Sequence, residues 1–453
     1  MTNVYVMEKI PEKIIIPLKQ HDGCLCTPLV NKGDMVSMGQ KIGECECYDS
    51  AAVHSSVCGE VISIEKAANP NGTKVNSVII KPTEDVECVD FTPVKDVSAS
   101  KLVDVIKDAG IVEHYGTPTH KVLRPEGKQI DTVLINATSS EWIGGHYDTS
   151  AQYASQMIDA LKLLMKAAGA SKGAVVLRND DLESINAFDH LRVDGKLLTV
   201  APLMGKRKLS YYFKDMGSDI IVVSQERIYG QKILDLLTYN LTGRRVSFCC
   251  DPTDVGVAIC GVKSAKALYD AVHEGRPYIE TVVSVSGKVN SPKKILVKIG
   301  TPFKDVIDAC GGYMGDTGKL IANGAVTGVA QYTDDVPVTK MTTSITVLSA
   351  DEVIRDVSID CTHCARCVDV CPVDLIPSRI TAFADQGRFD ECRQMNILNC
   401  VECGRCSAVC PSKIHLLQLI RYAKNSIENA YEDLSSKESP ANLKLGCGCS
   451  GGN

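Results

Sequence analysis

No window of the chain has about eighteen uninterrupted apolar residues, so nothing in it reads as a membrane-spanning helix. Basic residues are not in excess either. Lys and Arg total 49 against 55 Asp and Glu, a net charge of −6, whereas a nucleic-acid partner would want a basic face. Met1 to Lys9 lacks the basic-then-apolar order of a signal peptide, which leads us to expect a cytoplasmic protein. Any membrane attachment would then be peripheral, on the inner face and through a partner. There is no Walker-type phosphate loop and no nucleophile–base constellation, so no catalytic residue is assigned. At 453 residues the chain is too long for one core and should hold several domains.

Cysteine is what the chain has in quantity, with 21 residues. One pattern occurs twice: Cys361-x-x-Cys364-x-x-Cys367-x-x-x-Cys371-Pro and Cys400-x-x-Cys403-x-x-Cys406-x-x-x-Cys410-Pro. This is the ligand spacing of two [4Fe–4S] clusters. Three thiolates two residues apart wrap one cubane, and the fourth, followed by proline, reaches across to the neighbouring cluster. The expected sets are therefore Cys361, Cys364, Cys367 and Cys410, and Cys400, Cys403, Cys406 and Cys371. Zinc ligands come instead as C-x-x-C pairs separated by a dozen or more residues. Clusters in an unexported chain imply a reducing compartment and point to anaerobic metabolism. The chain carries electrons.

Short strands are expected at 13–16, 34–36, 40–44, 59–64 and 77–81, with Gly33, Gly39 and Gly72 supplying left-handed turn positions. That density predicts a small β-sandwich or barrel over 1–90, and Lys32-Gly33-Asp34 followed by Gly39-Gln40-Lys41-Ile42-Gly43 resembles a barrel-sandwich domain of the biotinyl/lipoyl type. No lysine stands near His54–Val57 to carry a swinging cofactor. From 91 to 280, helices at 101–109 and 151–168 alternate with strands at 132–136, 173–177, 220–223 and 245–248. Such alternation predicts an α/β domain with a mostly parallel sheet. Residues 281–348 return to short strands (281–285, 295–298, 345–348) with a helix at 304–310, as in a small β-grasp domain. A helical two-cluster module over 349–428 includes a helix at 377–386, with proline at its permitted first position. A polar Cys/Gly tail, 429–453, ends the chain.

This order of parts resembles the C subunit of the Rnf electron-transport complex and its soluble relatives, over nearly the whole chain. The matching stretches are Pro17-Leu18-Lys19-Gln20-His21, Pro28-Leu29-Val30, Val53-His54-Ser55-Ser56-Val57, Gly300-Thr301-Pro302, Cys310-Gly311-Gly312 and Asp335-Val336-Pro337-Val338-Thr339-Lys340. Both cluster motifs complete the set, the second continuing through Cys410-Pro411-Ser412-Lys413-Ile414. The resemblance implies a multidomain α/β protein. Its parts would be a barrel-sandwich, a domain like the flavin subunit of respiratory complex I, a soluble-ligand-binding (SLBB-like) β-grasp domain and an α-helical ferredoxin module. It also implies redox partners, either Rnf-type subunits or soluble reductase and dehydrogenase subunits.

Members of this family typically pass hydride from NADH to FMN through a glycine-rich segment, G-L-G-G-A-G-F-P-T. Here that segment reads Glu113-His114-Tyr115-Gly116-Thr117-Pro118-Thr119. Bulky or anionic side chains replace glycines that would let backbone approach a phosphate. Two further family segments are eroded, at 136–142 and 323–328. The three together argue against FMN and NADH binding, and for a retained fold with a dead pocket. The alternatives are an NADH:FMN-dependent dehydrogenase subunit, a thiol-based donor to a proline-reductase-type enzyme using Cys24 and Cys26, and an assembly scaffold.

Cysteines outside the cluster motifs suggest a third site. Cys24-x-Cys26, Cys45-x-Cys47 and Cys58 lie in the N-terminal domain. On neighbouring strands, each C-x-C would point both thiols to one face. The five are candidates for an additional metal site or for redox thiols, against an inert reading as small core residues. His21 and His54 are read as hydrogen-bonded rather than ligating. Cys249, Cys250, Cys260, Cys310 and Cys392 are read as structural, Cys88 is undecided, and Cys447 and Cys449 are a mobile thiol pair or functionless.

Overall fold

The computed structural model describes residues 4–83, 91–95, 97–138, 151–193, 195–203, 207–226, 233–246, 250–325, 328–353 and 358–435. They fall into two units, the first running to residue 353 and the second built mainly on 358–435.

In the first unit, strands form at its N-terminal end where branched residues alternate with polar ones. Ile14–Pro17, Lys74–Pro82, Gly59–Ala68 and Met35–Val36 pair antiparallel in that order. Thr27–Pro28, Lys41–Glu44 and Val53–His54 make a second sheet. Alternate side chains from both sheets, among them Ile14, Ile16, Ile42, Val61 and Ile80, fill one core. The turns use Gly33, Gly39 and Gly72 at φ of 92°, 87° and 85°, as the sequence requires.

An α/β domain follows. Its five strands are all parallel, in the order Val200–Pro202, Ile220–Gln225, Lys172–Arg178, Thr132–Asn136, Val257–Gly261. The central strands are buried on both faces, as a sheet covered by helices must be. Helices Ala99–Asp108, Ala154–Ala168 and Val262–His273 contribute to the same core. One expectation fails here. Arg245 and Val246 lie in no strand, and 247–249 fall outside the described residues. The edge strand is instead Val257–Gly261, whose run from Val257 to Cys260 is buried throughout, whereas Arg244 and Arg245 are charged.

A mixed six-stranded sheet comes next, with helix Phe303–Ala309 against it. Its outer strand is Val4–Val6, which pairs parallel to Lys293–Lys298 and so ties the N-terminal residues to this sheet rather than to the barrel-sandwich. Four of the sequence stretches that carry the family resemblance meet where these three parts join. Lys340 donates through Nζ to the carbonyls of Ala52 and Gly110, both at 2.7 Å, and its amide donates to Gln20 Oε1. Ser56 Oγ donates to the Ile299 carbonyl, the Ile15 amide to Gly300, and the Gly300 amide to Val338. Burial pushes the Lys340 ammonium down to about 7, with Cys26 acting weakly against it. These residues are joints of the scaffold.

The second unit is helical, with Arg366–Asp369, Pro377–Asp385, Phe389–Gln394, Arg405–Ala408 and Leu416–Ser435 connected by the cysteine loops. Among the described residues no helix is long and apolar enough to cross a membrane.

Candidate functional site

The two cysteine motifs fold as a repeat. In the first, His363 and Ala365 flank Cys364 in left-handed conformation (φ 54° and 61°); in the second, Glu402 and Gly404 flank Cys403 likewise (φ 53° and 71°). Asp374 and Lys413, each three residues past the fourth cysteine, repeat it again at φ 54°. A left-handed residue turns successive amides inward, a local nest that favours anionic sulfur. Accordingly the Glu402 amide donates to Cys400 Sγ (3.4 Å) and the Leu375 amide to Cys371 Sγ (3.3 Å). Helices Pro377–Asp385 and Leu416–Ser435 begin at the same distance beyond the fourth cysteine of each motif.

The motifs do not close on themselves. Ile359 donates its amide to the Ser412 carbonyl, and Ser412 Oγ donates to the Asp360 carbonyl, bringing the end of the second motif to the start of the first. Cys361, Cys364, Cys367 and Cys410 thus line one pocket. Cys371, Cys400, Cys403 and Cys406 line another, walled by Leu375, Leu417 and Ile420. Burial raises the Cys400 and Cys403 thiols and pushes Cys406 up to about 12. Sulfur so buried ionises only against a cation, and a soft metal supplies one. The donor set therefore fits iron–sulfur clusters. Glu402 is tied to helix Leu416–Ser435 by Arg421 Nε at 3.0 Å and by the buried Lys424. Lys424 and Arg421 hold its carboxyl below the ordinary range despite burial. Periodicity gave no sign of this clamp, because it needs the two segments to be adjacent in space.

The N-terminal cysteines separate. Cys24, Cys45 and Cys47 come together, their Sγ atoms all within 4.8 Å of one another. Cys26 does not join them: it turns into the barrel-sandwich core, 3.5 Å from Ser50 Oγ and from the Ala51 carbonyl. Cys58 stands apart and accepts from the Met38 amide. The strand argument fails because neither C-x-C pair lies on a strand, so alternation does not govern where the thiols point. Of the delivery pair suggested by the sequence, Cys24 is exposed and Cys26 buried. His21 Nε2 lies 3.1 Å from the Cys24 carbonyl, and burial lowers this ring to about 4. His54 is buried and lowered to about 3 for the same reason. Cys260, Cys310 and Cys392 pack in hydrophobic cores. Cys88, Cys249, Cys447 and Cys449 lie outside the described residues, as do 139–142 and 326–327 of the eroded segments.

Where the family carries glycines, the chain makes a tight turn. The Glu113 amide donates to the Thr117 carbonyl and the Gly116 amide to the Glu113 carbonyl. The fully buried Glu113 carboxylate accepts from the Gly261 amide, Ser264 Oγ and Thr119 Oγ1, each at 2.8 Å. It thereby caps helix Val262–His273, taking the amide that an anionic ligand would use. Glu113 therefore stands, fully buried, against the start of this helix.

Comparison with known proteins follows the same division of the chain. Residues 3–85 match the RnfC barrel sandwich hybrid domain, 106–270 the Nuo51 FMN-binding domain, 282–330 the SLBB domain and 360–414 the 4Fe-4S dicluster domain. The C subunit of the ion-translocating oxidoreductase complex of Methanosarcina acetivorans is 53% identical over 430 residues, covering 95% of each chain. Its counterpart in the Na(+)-translocating ferredoxin:NAD(+) oxidoreductase complex of Acetobacterium woodii is 34% identical, covering 92% of each. The corresponding protein of the proton-translocating ferredoxin:NAD(+) oxidoreductase complex of Clostridium ljungdahlii is 32% identical, over 94% of this chain and 91% of that one. On this likeness across nearly its full length, the chain belongs to the C-subunit family of the Rnf-type ion-translocating oxidoreductase complexes.

Proposed function

We propose that the protein is an electron-transfer subunit that passes single electrons through two [4Fe–4S] clusters, working beside the other subunits of an Rnf-type complex. The observation that carries this reading is the sorting of eight cysteines into two crossed quartets at two cavities. Cys361, Cys364, Cys367 and Cys410 hold one cluster; Cys371, Cys400, Cys403 and Cys406 hold the other. Bound clusters supply reversible one-electron transfer. The chain's own part is to fix the sulfurs, aim amides at them, and wall the second site with Leu375, Leu417 and Ile420. In this reading, attachment to a membrane comes through partners on its cytoplasmic side; among the described residues no helix is long and apolar enough to cross one. We set domain limits near 90, 280, 348 and 428, supported by matched segments that each fall between two successive limits or chain ends.

The names of two relatives make ferredoxin and NAD+ the couples of their complexes. Hydride exchange with NAD+ needs a two-electron acceptor such as flavin. Because Glu113 occupies the helix end, the route in this chain runs without FMN, between one-electron protein partners. A second reading, with FMN bound, is favoured by the match of 106–270 to an FMN-binding domain.

Protein isolated without oxygen decides between them. About eight irons per chain, flavin far below one, and bleaching by a one-electron donor but not by NADH is the expected result on cubane stoichiometry. One FMN per chain with reduction by NADH selects the second reading. A folded, active protein without iron overturns both.

A further inference from the structure

We infer that Cys24, Cys45 and Cys47 form a mononuclear site in the barrel-sandwich domain for a soft, thiophilic metal ion, namely zinc(II). The three Sγ atoms lie within 4.8 Å of one another on two loops, one following strand Ile14–Pro17 and one following Lys41–Glu44. Zn–S bonds of about 2.3 Å in tetrahedral array set thiolates about 3.8 Å apart, a spacing these side chains reach by small rotations. A cubane gives each cysteine its own iron and holds the sulfurs further apart than one shared ion does. Three sulfurs converging on one point therefore suit a single ion.

The loops are held in place by the surrounding protein. Gly23, at φ 142°, lies so close to the Asp49 carbonyl that a Cβ would stand 2.2 Å from its oxygen. Only glycine lets the Cys24 loop rest on the loop of Cys45 and Cys47. Tyr48, next to Cys47, donates its hydroxyl to the Arg124 carbonyl, and its own carbonyl sits 2.6 Å from His120 Nε2. Cys26 anchors the other loop in the core. Cys24 and Cys47 are exposed, so one side of the group faces solvent. Three thiolates with a water or an incoming thiolate complete four-coordination, the arrangement of an open rather than a closed zinc site. On binding, the ion replaces the thiol protons, which pass to solvent, and the three thiolates around zinc leave a net charge of −1.

The test uses the full chain, isolated anaerobically with its iron. Zn2+ alone is added, unbound metal is removed, and zinc and iron are counted separately. We expect about one zinc per chain, with X-ray absorption showing sulfur neighbours at about 2.3 Å. C45S and C47S should each weaken zinc retention roughly tenfold or more, with iron unchanged and C58S behaving as wild type. Alkylation mapping on the unmutated protein covers any variant that fails to fold: Zn2+ should slow modification of Cys24, Cys45 and Cys47 but not of Cys58. The site is overturned by zinc that stays with a C45S/C47S double variant, by alkylation indifferent to zinc, or by a disulfide among the three in the anaerobic protein. Because iron is counted independently, failure here is distinct from failure of the electron-transfer reading.

Discussion

Glu113 is a carboxylate taken wholly out of water, with three donors aimed at it and burial acting against them. Burial wins and pushes the group from its ordinary value of 4.5 up to about 7. Between those two values the folded protein keeps a proton that the unfolded chain has lost. Stability therefore falls as pH rises through that window and levels off above it. Glu113→Gln removes the titration, so the stability of wild type relative to the variant should drop by roughly 3 kcal/mol between pH 4.5 and 7, from the size of the shift. Anaerobic unfolding midpoints of both proteins across that range measure it; parallel curves would show that the carboxyl keeps an ordinary pKa. In the sequence Glu113 reads only as a misplaced anion in a glycine segment. That it caps a helix could not be read, because Gly261 and Ser264 lie about 150 positions away, at and just beyond the end of a strand the periodicity misplaced.

The two cluster loops show how much of an element a spacing can specify. Ligand order and the helix at Pro377 follow from local rules, since each depends on residues a few positions apart. The left-handed backbone at four flanking positions does not, for only one of them is glycine: His363, Ala365 and Glu402 adopt it with a Cβ. A left-handed non-glycine residue costs about 1–2 kcal/mol, which the surrounding contacts must offset. Residues 365 and 404 occupy the same place in the two loops, so exchanging their chemistry tests this directly. Gly404→Ala should weaken its loop by about 1 kcal/mol, and Ala365→Gly should strengthen the other by up to a similar amount. Iron release to a chelator should be several-fold faster in the first variant and slower in the second. Equal rates in all three proteins would show that loop strain has no hold on cluster retention. The N-terminal thiols lie at the opposite extreme. Their C-x-C spacing signals two sulfurs per face only on a strand, and both pairs occupy loops whose path is set by Gly23 and Tyr48.

At the scale of the molecule, cysteines of both motifs line each cavity, and the segments meet at Asp360 and Ser412. Under the proposed assignment, neither loop would close a four-thiolate site alone. This arrangement predicts an unusual pattern of non-additivity. Cys371 stands in the first motif but should serve the cluster of the second. The double variant C371S/C403S therefore touches one cluster and should keep about four irons, no fewer than either single variant, on cubane stoichiometry. C371S/C364S pairs two cysteines of the same motif, yet it should touch both clusters and fall toward zero. An uncrossed protein gives the reverse assignment: the same-motif pair would spare one cluster and the cross-motif pair would lose both. Iron and sulfide counts on the two doubles and three singles thus read the ligand topology without resolving either cluster. The same comparison bears on electron flow. If the quartets hold clusters as proposed, Cys371 and Cys410 would each carry the chain from the loop of one motif to the cluster of the other, a covalent link between the two centres.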